Sequence, residues 1–225
     1  MTKRSSKIIE MKILVACESS GVVREAFRKK GHEVWSCDIL PPDDGSKFHI
    51  KGNVLDHLND GWDMIIAHPP CTYLCVSGVH WLKERKKKSV EEQKREKERV
   101  EKRKLDTIKG KEFFMAFTKL DCIWCIENPI GIMSTHYRKP NQIVQPYHFG
   151  HDASKSTCFW LNKLPLLKNT KYVEPRKVEY KGKMRNRWSN QTDSGQNALP
   201  PSKDRWKIRS QTYEGIAEAM VEQWG

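Results

Sequence analysis

The stretch Asp63–Gly78 reads D-M-I-I-A-H-P-P-C-T-Y-L-C-V-S-G, and it decides how the rest of the chain is interpreted. Residues 64–67 form a short apolar run with β-branched members, which predicts a buried strand. The two prolines at 69 and 70 lack the N–H that a sheet ladder needs, so the strand must end and the chain must turn. Cys71 then follows at the carboxyl end of the strand, where open α/β sheets bind ligands. Its thiol is a candidate functional group, the alternative being a small buried residue like most free cysteines.

Length and composition favour one α/β domain with a small appendage. The chain has 225 residues, and no apolar run approaches the roughly 18 residues that a membrane span needs, so we expect no membrane partner. Seven cysteines without a disulfide-framework spacing favour a reducing compartment, and we predict a cytoplasmic protein. Residues 1–7 are basic without a signal-peptide core and are predicted to be a frayed start. The histidines form no ligand spacing, so no metal is expected.

The positive charge is concentrated in two segments. The net charge is +13, and residues 163–209 alone contain 13 Lys and Arg against 4 Asp and Glu. Residues 83–112 contain 14 against 8. Such a balance favours an anionic partner, most often a nucleic acid. For the second segment we keep two interpretations, a long solvated helix or a mobile arm over the site that contacts phosphates.

The first forty residues have the pattern of a nucleotide-binding half. A strand is predicted over 12–17, then a turn E-S-S-G, a helix from residue 22 that ends at Gly31, and a strand that ends near Asp38. This order is a βαβ unit, in which an acid after the second strand contacts ribose hydroxyls. The turn contains only one glycine, Gly21, so the nucleotide-binding fingerprint is weak by itself. The alternative for Asp38 is a solvated strand end without a ligand.

The second half of the chain repeats the pattern of a polar group at a strand end. An amphipathic helix over 111–120 precedes a strand over 121–126, which leads into E-N-P at 127–129. Cys122 and Cys125 should point to opposite faces of that strand, which disfavours a zinc site. A further strand follows the basic turn near 152–156.

Residues 163–209 are polar and irregular, with tryptophans among basic residues. Basic side chains interleaved with aromatics suit phosphate contacts and base stacking. The alternative is a packed appendage whose tryptophans cover the core. The stretch 212–224 is an amphipathic helix, with Ile216, Ala219, Met220 and Trp224 on one face and Thr212 as its candidate N-cap.

Taken together, these landmarks resemble the C5-cytosine DNA methyltransferase family in a short form. The resemblance covers most of residues 11–162 and 210–225 and implies a class I, Rossmann-like S-adenosylmethionine-dependent α/β fold with helices on both faces of the sheet. A-C-E-S-S-G looks like the cofactor loop, G-N-V-L-D like the adenine-contacting segment, H-P-P-C like the nucleophile loop and C-I-E-N-P like the base-holding segment. The final helix is similar to the family's last motif.

The resemblance implies a set of site residues. Cys71 would be the nucleophile, Glu127 the carboxylate that holds the base, and Lys155 the remnant of the family's Q-x-R-x-R segment, which here reads A-S-K-S-T. The cofactor S-adenosyl-L-methionine would be bound by Cys17, Glu18, Ser19, Ser20, Gly21, Asp38, Asn53, Val54, Pro70 and Thr212. Two departures are that only one glycine of the cofactor loop is kept and that Asn53 stands where an aspartate is usual.

The implied organisation has three parts. A methyltransferase core over 1–162 contains a charged helical insertion over 82–111, a reduced recognition segment spans 163–209, and the helix 210–225 returns to the core. The partner would be DNA, with RNA as an alternative, contacted by Lys181, Lys183, Arg185, Arg187 and Trp188.

The chemistry would be addition of a thiolate to carbon 6 of a pyrimidine, which makes carbon 5 nucleophilic towards the cofactor's methyl group. A lowered thiol pKa would assist this step. Two other readings stay open. One is methyl transfer to an exocyclic amine or to RNA or a nucleotide, and the other is a nucleic-acid-binding protein that keeps the fold without turnover.

Overall fold

The computed structural model describes residues 9–225, and the predicted frayed start at 1–7 lies outside this range. Within it the strands are Lys12–Ala16 (β1), Glu33–Asp38 (β2), His49–Lys51 (β3), Met64–Ala67 (β4), Ile123–Pro129 (β5), Gln142–Val144 (β6), Thr157–Asn162 (β7), Arg176–Tyr180 (β8) and Lys183–Arg187 (β9). The helices are Val22–Lys29 (α1), Val76–Val79 (α2), Val90–Phe117 (α3), Met133–His136 (α4), Arg205–Ser210 (α5) and Glu214–Trp224 (α6).

Seven strands form one mostly parallel sheet in the order β3-β2-β1-β4-β5-β7-β6. Strands β1 to β5 pair in parallel, and β7 runs antiparallel between β5 and β6. The chain builds outward from β1 to β3 on one side and then crosses to β4 on the other. The order therefore reverses between β1 and β4, and an open α/β sheet binds ligands outside the carboxyl ends of its strands at such a point. The predicted α/β class is confirmed.

Alternating side chains of the sheet pack into two separate cores. Ile13 and Val15 of β1 face α1 and α6, where Phe27 and Met220 are fully buried. The intervening residues of β1 face the opposite side and pack with the end of α3. Because successive side chains of a strand point to opposite faces, a strand apolar at every position needs helices on both sides. Helices cover both faces, as expected.

The charged insertion and the following amphipathic segment form one continuous helix. We predicted a solvated helix within 82–111 and a separate packing helix over 111–120, but α3 runs unbroken from Val90 to Phe117. Ser89 and Glu92 form a capping box at its start, so residues 83–88 stay outside the helix. The last turns bury Phe114 and Phe117, which anchors the charged part rigidly to the sheet. The start of the helix is set by a local sequence signal, the capping box, whereas its continuity depends on this packing.

The C-terminal part departs from the sequence-based description in two ways. The segment 163–209 contains the hairpin β8–β9, closed by a two-residue turn in which Lys181 (φ 53°) and Gly182 (φ 70°) both have positive φ. Thr212 is not the N-cap of α6, because Tyr213 takes that position without a side-chain bond. Instead His151 Nε2 accepts from the Gly215 N–H at 2.8 Å. No helix of the described part is long and apolar enough to cross a membrane.

Candidate active site at the carboxyl edge of the sheet

Two adjacent residues of β5 hold the segment that follows β4. Glu127 Oε2 lies 2.7 Å from His68 Nδ1, and the buried Asn128 donates through Nδ2 to the Pro69 carbonyl at 2.7 Å. The backbone N–H of His68 also donates to the Ala16 carbonyl of β1 at 2.9 Å. The two prolines that end β4 are thus fixed by neighbouring strands on both sides. This positions Cys71, which is exposed directly after them.

His68 and Glu127 form a nearly buried ion pair. Their side chains are 12% and 11% exposed. Burial opposes protonation of His68, but the hydrogen bond and charge of Glu127, with Glu18 nearby, outweigh it and raise the pKa of the imidazole. Burial alone would raise the pKa of Glu127, yet the bond from His68 and the charge of Lys155 lower it. His68 Nε2 is buried and has no partner within residues 9–225.

The Cys71 thiol is not activated by its surroundings. Desolvation by the surrounding loop raises its pKa most, and Cys75 and Glu127 raise it further, while Lys155 acts in the opposite direction. The lowered pKa that would help catalysis is therefore absent in this state, because desolvation, with Cys75 and the Glu127 carboxylate, outweighs the charge of Lys155. A cationic group that arrived with a ligand would reverse the balance.

The loop carrying Cys71 is held from a third direction by the segment after β5. The Leu74 carbonyl accepts from the Ile132 N–H at 2.8 Å, and the Ile130 carbonyl accepts from the Val76 N–H at 3.1 Å. A Cβ atom added at Gly131 would overlap the Leu74 carbonyl oxygen. Only glycine fits this approach, so the backbone of the loop has little freedom.

In the predicted cofactor turn after β1, a side chain of the turn bonds to the first residues of α1. The buried Glu18 carboxylate accepts from the N–H groups of Val23 (2.7 Å) and Arg24 (3.2 Å), which caps α1. Burial raises the pKa of Glu18, opposed by His68 and these amides. Gly21 has φ 75°, and Arg24 is buried against Ser36 Oγ at 2.6 Å and pairs with Asp44.

Other predicted cofactor residues lie along the same edge of the sheet. Cys17 has φ 60°, and burial raises the pKa of its thiol. Asp38 ends β2, where its Oδ1 accepts from the Leu40 N–H at 2.9 Å. Asn53 follows β3 and caps the short 3-10 helix that begins at Val54, and the Val54 side chain is buried in the core. Pro70 is exposed beside Cys71. The edge therefore brings all these positions together.

Lys155 and Thr212 meet Glu127 in a small cleft. The cleft has a volume of about 10 Å³, and Tyr213 and Met220 also line it. Lys155 Nζ donates to the Gln211 carbonyl at 3.1 Å, which ties the C-terminal segment to the site. The three catalytic candidates, Cys71, Glu127 and Lys155, are thus within mutual electrostatic influence.

The predicted nucleic-acid residues lie on or next to the β8–β9 hairpin. Lys181, Lys183 and Arg185 are exposed. Arg187 is anchored through Nε to the Asp193 carbonyl at 3.0 Å. Trp188 is half-buried and stacks on Tyr147 with ring centroids 4.1 Å apart and an angle of 11°. Its ring is therefore already stacked within the protein, as the packed-appendage interpretation expected.

His68 and Asn128 are the two site residues that sequence reasoning missed. His68 follows β4 directly, at the same strand end that singled out Cys71, so position alone could have identified it. Asn128 had no signal of its own, because its role depends on the approach of β5 to the proline turn. Within residues 9–225, no group of three or more His, Cys, Asp and Glu side chains is placed to hold a metal ion.

Comparison with known proteins adds no relative: no protein-family model and no curated protein matches the chain.

Proposed function

We propose that the protein is an S-adenosylmethionine-dependent methyltransferase that acts on carbon 5 of a pyrimidine in DNA, with Cys71 as the nucleophile. The observation that carries the proposal is the arrangement of an exposed thiol at the end of β4 beside the carboxylate of Glu127 on the next strand. Both lie at the sheet edge next to the reversal of strand order between β1 and β4.

The residues of the β1 turn and the end of β2 fit the cofactor. The N–H groups of Ser19, Ser20 and Gly21 make no backbone hydrogen bond to described residues and lie at the N-terminal end of α1, so they suit a carboxylate. Asp38 uses only Oδ1 for its own turn, which leaves Oδ2 for a ribose hydroxyl. When bound, the cofactor would supply an electrophilic methyl group on a sulfonium. Its positive charge would also favour the thiolate form of a nearby Cys71.

Cys71, as the thiolate, would add to carbon 6 of the base and make carbon 5 a nucleophile that takes the methyl group. Carbon 5 would then pass its proton to a water molecule, and the electron pair of that C–H bond would re-form the 5,6 double bond and expel the thiolate. Glu127 is ionised and would accept a hydrogen bond from the amino group of cytosine. A proton passed from His68 Nδ1 to Glu127 would let the carboxyl group donate to N3, where charge develops on addition. The base would first have to leave the helical stack.

The test is the identity of the modified nucleoside. The full chain is incubated with DNA and cofactor carrying an isotopically labelled methyl group, and the digested DNA is analysed by mass spectrometry. We expect labelled 5-methylcytosine, and no product from Cys71→Ser, because a hydroxyl group does not form the adduct at useful rates. Cys122→Ser, a half-buried thiol at the opposite end of the sheet, serves as control. DNA with fluorine at carbon 5 should trap the adduct on Cys71, since fluorine cannot leave as a cation.

Transfer to an exocyclic amine is the second candidate. It is favoured by the raised pKa of Cys71, since that reaction needs no thiolate. It predicts a labelled methylamino base and an active Cys71→Ser protein. Binding of DNA without cofactor binding in calorimetry would instead favour a protein that keeps the fold without turnover.

A further inference from the structure

An open groove lies against the Cys71 loop, on the side of helix α3. Its volume is about 260 Å³, and it is lined by Tyr73, Trp81, Arg99, Lys102, Arg103 and Asp106. We call this set the Trp81 groove. Tyr73 is two residues from Cys71, so their Cα atoms are at most about 7 Å apart. The groove therefore lies within two residues of Cys71 along the chain, and it shares no lining residue with the cleft of Glu127 and Lys155.

The floor of the groove is rigid because one arginine is used entirely for structure. Arg99 forms two bonds to Glu96, at 3.0 and 2.8 Å, and its Nη1 donates to the Trp81 carbonyl at 2.9 Å. Glu96 is only 7% exposed, and the guanidinium of Arg99 lowers the pKa of its carboxyl group. Arg85 stacks on the Trp81 ring at 3.9 Å, the Arg99 guanidinium lies 5.3 Å from the ring centroid, and the His80 ring centroid is 4.8 Å away, so an incoming base would use the part of the indole that these groups leave exposed. The indole is held in position and is still 38% exposed.

Three polar side chains of the groove keep unused hydrogen-bonding capacity. Lys102 is exposed and forms no ion pair with a described residue. Arg103 donates only through Nη2, to the Thr72 carbonyl at 3.0 Å, and its buried Nε has no partner within residues 9–225. Asp106 is half-buried and offers a carboxylate. The groove thus combines exposed aromatic surface, two cations and one acceptor.

We propose that the Trp81 groove binds a nucleotide next to the reacting base on the same strand. Its base would stack on the indole, its phosphate would contact Lys102 and Arg103, and Asp106 would accept a hydrogen bond from a base amino group. The location of the reacting base rests on the proposed function, but the binding itself needs neither cofactor nor turnover. Because Arg103 also holds the Thr72 carbonyl, an occupied groove would fix the Cys71 loop.

The test is fluorescence anisotropy with a labelled single-stranded DNA oligonucleotide and the full chain, without cofactor. Trp81→Ala should weaken binding about 5- to 150-fold, the equivalent of one lost base stack, while Trp81→Phe should recover most of it. Lys102→Gln should reduce the slope of log affinity against log salt by about 0.7, the loss of one phosphate contact on a single strand. Lys109→Gln, an exposed lysine further along α3, is the charge-matched control and should leave the slope unchanged.

An abasic nucleotide moved along the strand decides whether the contact is stacking. At one position the missing base should lower the DNA affinity of the native protein but leave the affinity of Trp81→Ala unchanged. The two changes would then be coupled, as expected when the base and the indole are the two partners of one contact. Additive effects at every position, or native affinity of Trp81→Ala, would overturn the proposal. If coupling is found but no methylated product forms, the proposed methyltransferase chemistry is refuted and nucleotide binding in the Trp81 groove is retained. If methylation occurs without coupling, only nucleotide binding in the Trp81 groove is refuted.

Discussion

The turn after β1 and the loop after β4 leave neighbouring parallel strands at the same sheet edge, but they differ in whether their polar side chains are already bonded within the fold. In the turn, Glu18 and Arg24 are buried and bonded within the fold. In the loop, Cys71 is exposed and His68 Nε2 has no partner within residues 9–225. A group already bonded contributes to folding, whereas an unbonded group at a site edge is available to a ligand. Substitutions should therefore divide into those that cost stability and those that cost activity.

The largest effect is expected at Glu127. Glu127→Gln keeps the shape but removes the charge that raises the pKa of His68, and with it the group proposed to exchange a proton with His68. The methylation rate should fall about 10²- to 10⁴-fold, as for loss of a positioned acid or base. The measurement is single-turnover methylation, with thermal unfolding to verify the fold. Glu222→Gln, at the exposed Glu222–Lys30 pair, should retain the native rate, and an equal loss there would contradict the assignment.

Two glycines near the Cys71 loop should respond in opposite ways. A methyl group at Gly131 overlaps the Leu74 carbonyl, so Gly131→Ala must displace the loop and should reduce the rate about 10²-fold. Gly110, inside α3, would make only ordinary contacts with Leu74. Gly110→Ala should stabilise the helix by about 1 kcal/mol with unchanged rate. Unfolding curves and rates for both variants provide the comparison, and an active Gly131→Ala would show that the loop adapts.

Glu18 should matter mainly for stability. Glu18→Ala leaves the N–H groups of Val23 and Arg24 buried without an acceptor, which costs about 1–3 kcal/mol. Chemical denaturation measures the free energy of unfolding. Ser20→Ala is the matched control in the same turn, since the Ser20 hydroxyl makes only long contacts of 3.3 and 3.5 Å. Native stability of Glu18→Ala would mean that α1 finds another cap.

The smallest effect is the pH dependence of the His68–Glu127 pair. The pKa of His68 is raised, so its contribution is complete below its unfolded pKa and is lost as pH rises through the folded value. The pKa of Glu127 is lowered, so its contribution is present above its unfolded pKa and is lost as pH falls through the folded value. The stability difference between the native protein and His68→Gln should be largest between about pH 4.3 and 6.5.

Above that window the difference should shrink, with a slope no steeper than about 1.4 kcal/mol per pH unit for one proton. Denaturation at a series of pH values measures it. The same series on His57→Gln, whose ring pairs with Asp60 on the surface, should give a much weaker trend. A difference that grows with pH would contradict a protonated His68.

The sequence predicted those parts of the fold whose signals are local. Strands β1, β2 and β4 and the left-handed Gly21 lie where apolar runs and the turn indicated. The hairpin β8–β9 was missed because the alternation in β8 is limited to Val178 and Tyr180, and β9 has a single apolar residue, Met184, among polar ones. The cap supplied by His151 and the continuity of α3 depend on tertiary contacts that no pattern within a segment encodes, whereas Glu18 caps α1 from the turn directly before it.

The residues of the candidate site likewise divide into those with a local sequence signal and those identified only by tertiary contacts. Cys71 and Glu127 were found because each stands at the end of an apolar run. The hydrogen bond between His68 and Glu127 joins residues 59 positions apart, so only the pairing of β4 with β5 reveals it. The pKa of Cys71 likewise depends on a carboxylate distant in sequence.

The unbroken helix α3 would also have a consequence for how fast the proposed nucleic-acid partner reaches the protein. Its run from Val90 to Arg103 is about 20 Å long and carries the lysines of residues 86–88 at its outer end. Charges on a rigid rod extend the distance over which a polyanion is captured by diffusion, and the positive end of the helix dipole adds to them. The rod would thus act on the rate of encounter rather than on the lifetime of the complex, most strongly in dilute salt.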